Sequence, residues 1–114
     1  METIKKGQIS ETLVVEYLQN QGFVIVQRNY HCPYGEIDIL ATLDEVLHVV
    51  EVKTIPKSWN FSDIESMVGY KKRSCIKKAL GVYLSTKPSN MYNGIVFDVA
   101  TVKDSKIRYY EGAF

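Results

Sequence analysis

Two short charged segments, Gly35-Glu36-Ile37-Asp38 and Glu51-Val52-Lys53, sit inside runs that are otherwise apolar and of strand length. Ile37, Ile39, Leu40 and Ala41 continue the first run, and Leu47, Val49 and Val50 lead into the second. Both runs are rich in residues that favour strands. Leu43-Asp44-Glu45 between them fits the tight connection of an antiparallel hairpin. Side chains alternate along a strand, so Glu36 is expected to share a face with Asp38, and Glu51 with Lys53. Three carboxylates and one ammonium would then meet on one patch of a sheet. Burying unpaired charge costs several kcal/mol, so such a patch requires that the charges pair with one another or with a bound cation.

Metal-assisted phosphodiester hydrolysis suits this patch. Oxygens of Asp38 and Glu51, with the backbone carbonyl of Val52 and waters, form the hard ligand set that Mg²⁺ prefers and Mn²⁺ accepts. Lys53, one pleat beyond Glu51, would set a positive charge where it holds a phosphate oxygen or orients the attacking water. The bland alternative is a solvated cross-strand salt bridge from Lys53 to Asp38 or Glu51, which would contribute little.

Two helical patterns flank the motif. The first spans about Lys6 to Asn20 and stops at Gln21-Gly22, with Val14, Val15 and Leu18 forming a stripe centred on Glu11. The second spans about Gly69 to Ser85, and Lys72 falls in line with Ile76, Ala79 and Tyr83. Each helix thus aims one charged residue inward. The structural alternatives are an acid favouring a helix dipole for Glu11 and a snorkelling stem for Lys72.

Gly7-x-x-x-Glu11, Arg28-Asn29, Gly35-Glu36-Ile37-Asp38, Glu51-Val52-Lys53-Thr54, Lys72, Ala79 with Tyr83-Leu84, and Phe97-Asp98-Val99 occur in the order and spacing of the YraN-like family. The chain resembles that group of small bacterial proteins over nearly its whole length. The family is similar to archaeal Holliday-junction resolvases within the restriction-endonuclease-like superfamily. The resemblance implies that Asp38, Glu51 and Lys53 form the metal and catalytic centre, with Glu11 supporting the metal from the first helix and Lys72 facing it from the second. The sequence departs from the usual pattern at Ser10, Ile55, Ser74 and Val96. No metal ligand is lost, but Ile55, Ser74 and Val96 remove positive charge that would hold phosphate.

The 114 residues are 46% apolar, which suits one domain over 1–114 with a modest core. No run approaches bilayer length and no signal-peptide segment opens the chain, so a cytoplasmic protein away from membranes is expected. The two cysteines read as free thiols in that setting. His31-Cys32 lacks the second ligand pair a zinc site requires, and His48 reads as a packing or hydrogen-bonding residue.

A net charge of +1 conceals an uneven distribution. Lys71, Lys72, Arg73, Lys77 and Lys78 crowd one stretch of the second helix, a density that tracks phosphates or simply faces water. Trp59 and Phe61 follow the second charged strand, where they would stack on bases, cover the core or meet a partner. Strands over Phe23–Tyr30, Gly94–Val102 and Lys106–Glu111 complete a fold expected to be α/β and restriction-endonuclease-like: a central mixed sheet of four to five strands flanked by helices. The expected function is a Mg²⁺-dependent endonuclease on DNA, branched or junction DNA included, acting as a homodimer where both strands are cut. The alternative is a non-catalytic nucleic-acid-binding module on the same fold.

Overall fold

The computed structural model describes residues 2–58 and 68–114, with side chains from residue 7 onward. Trp59 and Phe61 lie outside the described residues. Helix α1 (Glu2–Asn20) begins about one turn earlier than the pattern predicts, because no proline interrupts the chain there. It stops where glycine allows. Gly22 takes a φ of +94°, and the N–H groups of Phe23 and Gly22 close on the Leu18 and Gln19 carbonyls at 2.9 and 3.1 Å. Those two bonds satisfy carbonyls that the helix end would otherwise leave open.

Strands β1 (Val24–Cys32), β2 (Gly35–Leu43) and β3 (Val46–Thr54) form an antiparallel meander; α2 (Tyr70–Ser85) then crosses over to β4 (Gly94–Lys103), and β5 (Lys106–Tyr110) returns beside it. The sheet order is β1-β2-β3-β4-β5, with β3 and β4 parallel and every other pair antiparallel. This is the mixed α/β sheet with flanking helices that the sequence predicts, and it is compatible with a restriction-endonuclease-like fold. The hairpins β2–β3 and β4–β5 turn on Asp44-Glu45 and Asp104-Ser105, all four with φ between 51° and 68°. Paired positive φ values match the twist of the strands they join. Outside glycine they are costly, and Asn93 braces the first turn through its backbone N–H on the Glu45 carbonyl and its amide on the Glu45 carboxylate.

Each face of the sheet carries one helix. Val14, Val15 and Leu18 of α1 pack on Ile39, Ala41, Val50, Ala100 and Val102. Ile76, Ala79, Leu80 and Tyr83 of α2 pack on Ile37, Leu40, Leu47, Val49 and Val99. Burying both faces of β2, β3 and β4 explains why these strands read as nearly continuous apolar runs. No described helix is long and apolar enough to cross a membrane.

A polar network is embedded on the α1 side. Asp98 is 0% exposed, and one carboxylate oxygen accepts from His48 Nδ1 at 2.6 Å and from the Tyr109 hydroxyl, while the other accepts from the Gly112 N–H at 2.9 Å. Phe23 stacks edge-on against the His48 ring at 4.9 Å. Burial, then the Asp98 hydrogen bond, pushes the Tyr109 phenol above its ordinary value, so it remains a donor. His48 therefore has the hydrogen-bonding role the sequence assigns it. Removing the common acceptor strands three donors. Asp98→Ala should lower stability by about 3–5 kcal/mol and Tyr109→Phe by about 1 kcal/mol, read from urea unfolding at constant slope.

Candidate active site

The sheet opens at the candidate site. β2 and β3 pair from Leu43–Val46 to Ile39–Val50 and no further, whereas β2 stays with β1 as far as Cys32–Gly35. Beyond that point the Val52 N–H has lost its ladder partner, and the Asp38 carboxylate accepts it at 2.8 Å. The strict alternation of β2 also breaks here. Ile37 and Leu40 belong to the α2-side core, while Ile39 and Ala41 belong to the α1 side. Glu36 lines one cleft with Asp38, as two-residue periodicity predicts, but it is exposed and pairs with His31 at 3.1 Å rather than with Glu51 or Lys53.

Glu51 is the centre of what does converge. It is 3% exposed, and its Oε1 lies 2.7 Å from Lys72 Nζ and 3.9 Å from Lys53 Nζ. Its Oε2 is buried and meets no hydrogen-bond donor among the described residues. Burial first, then the neighbouring Asp38 charge, pushes the Glu51 carboxyl from 4.5 up to about 7, against the pull of Lys72 and Lys53. Lys53 is lowered, by burial and then by the ammonium of Lys72 beside it. Burial works most strongly against the charge of Lys72 as well, but its hydrogen bonds to Glu51 and Lys53 and the charges of Glu51 and Asp38 together outweigh that, and its value rises. The inward aim of Lys72 read from helical spacing therefore ends on a buried carboxylate.

Glu11 is also buried, at 7% exposure, but it engages Arg28, whose Nε donates to its Oε1 at 3.1 Å. Among the described residues, no three His, Cys, Asp or Glu side chains come together as a metal cage, whether around Glu11 or at His31-Cys32. Glu11, expected to support the metal held by Asp38 and Glu51, has the Arg28 guanidinium as its charge partner in this structure. Glu11 still faces the site. With Gly7, Gln8, Asn29, His31, Glu36, Asp38, Val52 and Thr54 it lines a cleft of about 710 Å³, and Ser10 ties α1 to the end of β3 through a 2.7 Å contact with the Thr54 hydroxyl. Arg28 was legible only as a motif residue, because its partner lies on another element. Asn29 is held at a φ of 50° beside the opening, a conformation asparagine tolerates better than most residues.

The basic residues of α2 separate into two groups. Arg73 donates from Nε to the Val68 carbonyl at 2.8 Å and stacks over Phe114, and Lys77 lies over the Phe97 ring. Lys71 and Lys78 are exposed.

Fold and site together define a small mixed α/β protein with a carboxylate–lysine centre where its central strand leaves the ladder. The chain belongs to the uncharacterised protein family UPF0102, whose model matches residues 10–102. It is 34% identical to a UPF0102 protein of Thermodesulfovibrio yellowstonii over 114 residues, covering 100% of this chain and 99% of the relative. Relatives in Alkaliphilus oremlandii (39% identity; 96% of this chain, 97% of the relative) and Syntrophomonas wolfei (38%; 95% and 96%) are also UPF0102 proteins.

The raised Glu51 value has a definite sign. Its folded value lies above its unfolded one, so ionisation opposes folding: the cost is absent below 4.5, grows through the interval and is complete above about 7. In protein stripped of divalent ions, the stability advantage of Glu51→Gln over the unmodified chain should grow by about 3 kcal/mol between about pH 4 and about pH 8. Urea midpoints at a series of pH values measure it.

Proposed function

We propose that the chain is a metal-dependent endodeoxyribonuclease with a restriction-endonuclease-like centre, akin to the Holliday-junction resolvases. One observation carries the reading: a buried Glu51 with an unpartnered oxygen, set beside Asp38, Lys53 and Lys72 at an open sheet edge. An anionic oxygen sealed away from donors is stabilised by a cation. Asp38 and Glu51 would hold Mg²⁺ or Mn²⁺ with the Val52 carbonyl and water, and hard oxygen donors suit either ion. When bound, such an ion neutralises charge on the scissile phosphate and acidifies a water. Asp38 positions the end of β3 through the Val52 N–H. Lys53, held below its ordinary value, sits where it accepts a proton from water or holds a phosphate oxygen. Lys72 keeps Glu51 oriented. A cut through both strands of a duplex or junction would use two such sites related by a two-fold axis.

A second reading, a nucleic-acid-binding module that does not cut, draws on the 2.7 Å Lys72–Glu51 pair, which neutralises the acid with no ion present. The deciding experiment incubates the protein with single-stranded, duplex, flapped and four-way-junction DNA in Mg²⁺ or Mn²⁺, alongside calorimetric Mn²⁺ titration. Cleavage of at least one structure is expected, with the Mn²⁺ heat lost in Asp38→Asn. Lys53→Ala should slow cleavage by about two to four orders of magnitude while binding changes only a few fold. Mn²⁺ heat unchanged in Asp38→Asn would remove the site assignment, and DNA binding without any cleavage would select the second reading.

The phosphate-tracking charges should be Lys71 and Lys78, since Arg73 and Lys77 are engaged by aromatic rings. DNA affinity is expected to fall with salt, and the double substitution Lys71→Ala, Lys78→Ala should flatten the log-log salt slope by about one to two units for every DNA structure alike. Fluorescence anisotropy over a salt series reads the slope.

A further inference from the structure

The chain has two cysteines, and each is placed against the same glycine, Gly35. Cys32 closes β1 and is the register partner of Gly35, which opens β2 after the turn Pro33-Tyr34. Directly opposed residues in such a ladder point to the same face, with Cβ positions roughly 4.5–5.5 Å apart. On that face a Cβ placed at Gly35 would stand 3.1 Å from the Cβ of Cys75 and 3.2 Å from its carbonyl oxygen. Cys75 of α2 therefore sits directly over Gly35, beside Cys32. Cys32 also packs on the α2-side core that contains Ile76, the neighbour of Cys75. Gly35 contributes no side chain of its own to that face. Both thiols are free, Cys75 is exposed and Cys32 is half-buried.

We propose that Cys32 and Cys75 form a reversible intramolecular disulfide that fastens α2 to the β1–β2 turn. The oxidant is a low-molecular-weight disulfide of the glutathione type. The more accessible Cys75 thiolate attacks one of its sulfurs, forming a mixed disulfide and releasing one thiol. The Cys32 thiolate then attacks the Cys75 sulfur, forming the protein disulfide and expelling the second thiol. Two protein thiols are oxidised and one reagent disulfide is reduced to two thiols. Lys71 and Lys78, one helical turn either side of Cys75, favour an anionic reagent there. The bridge joins the hairpin that carries Asp38 to the helix that carries Lys72, and the chain segment it closes contains Glu51 and Lys53 as well.

The test equilibrates the full chain with oxidised glutathione and follows intact mass and peptide maps. The expected product is a monomer lighter by two hydrogens, with Cys32 and Cys75 in one cross-linked peptide, unfolding several degrees higher than the reduced protein and returning to it with dithiothreitol. Cys32→Ser and Cys75→Ser should each stop at a single glutathione adduct. Adducts retained on both thiols of the unmodified chain, or a disulfide-linked dimer in place of the bridged monomer, would overturn the proposal. The readouts are mass and melting, so they stand whether or not the protein cleaves DNA.

Discussion

One hydrogen bond organises the rest of this molecule: the Asp38 carboxylate taking the Val52 N–H at 2.8 Å. A ladder that simply continued would have supplied a carbonyl there and left no room for a cleft. By substituting a side-chain acceptor for a backbone one, the sheet separates β2 from β3 without leaving a donor orphaned. The separation brings an acid to the end of the central strand and admits side chains from the helices on both faces.

The centre that results spans the sheet. Glu51 and Lys53 alternate along β3 with Val52 and Thr54, so the first pair reaches Lys72 on the α2 side while the second pair lines the cleft below α1. Two acids and two ammonium groups leave little net charge, yet the balance is uneven in space. Lys72 and Glu51 hold each other closely, and Lys53 and one Glu51 oxygen are less well compensated. Perturbed values concentrated in so few residues are characteristic of sites selected for chemistry, although ion-pair networks produce them too.

What the sequence reveals follows the range over which each signal acts. Strand runs, the Asp44-Glu45 turn, the Gly22 helix stop and the inward stripe of α2 are local, and all of them hold in the structure. Glu36 shares the cleft with Asp38 as period two implies, but the pleat shifts between Ile37 and Ile39, and Glu36 takes His31 as its partner instead of Glu51 or Lys53. Glu11 was legible as buried but not as paired, since Arg28 reaches it from a strand seventeen residues away. The His48–Asp98–Tyr109 network draws on three strands, so no window of sequence contains it. Lys72 was within reach because its helix periodicity states where it points, but the identity of its partner required the tertiary structure.

The parallel pairing of β3 with β4 also bears on how the centre is assembled in time. Val50 meets Asp98 across the whole crossover, whereas the meander that carries Asp38, Glu51 and Lys53 closes through short turns. Contacts near in sequence lose less chain entropy and tend to form first. On that ground the two carboxylates and Lys53 are expected to gather before α2 docks. Lys72 comes from the crossover helix, so docking that helix both seals the second face of the sheet and brings the ammonium that compensates the buried acid.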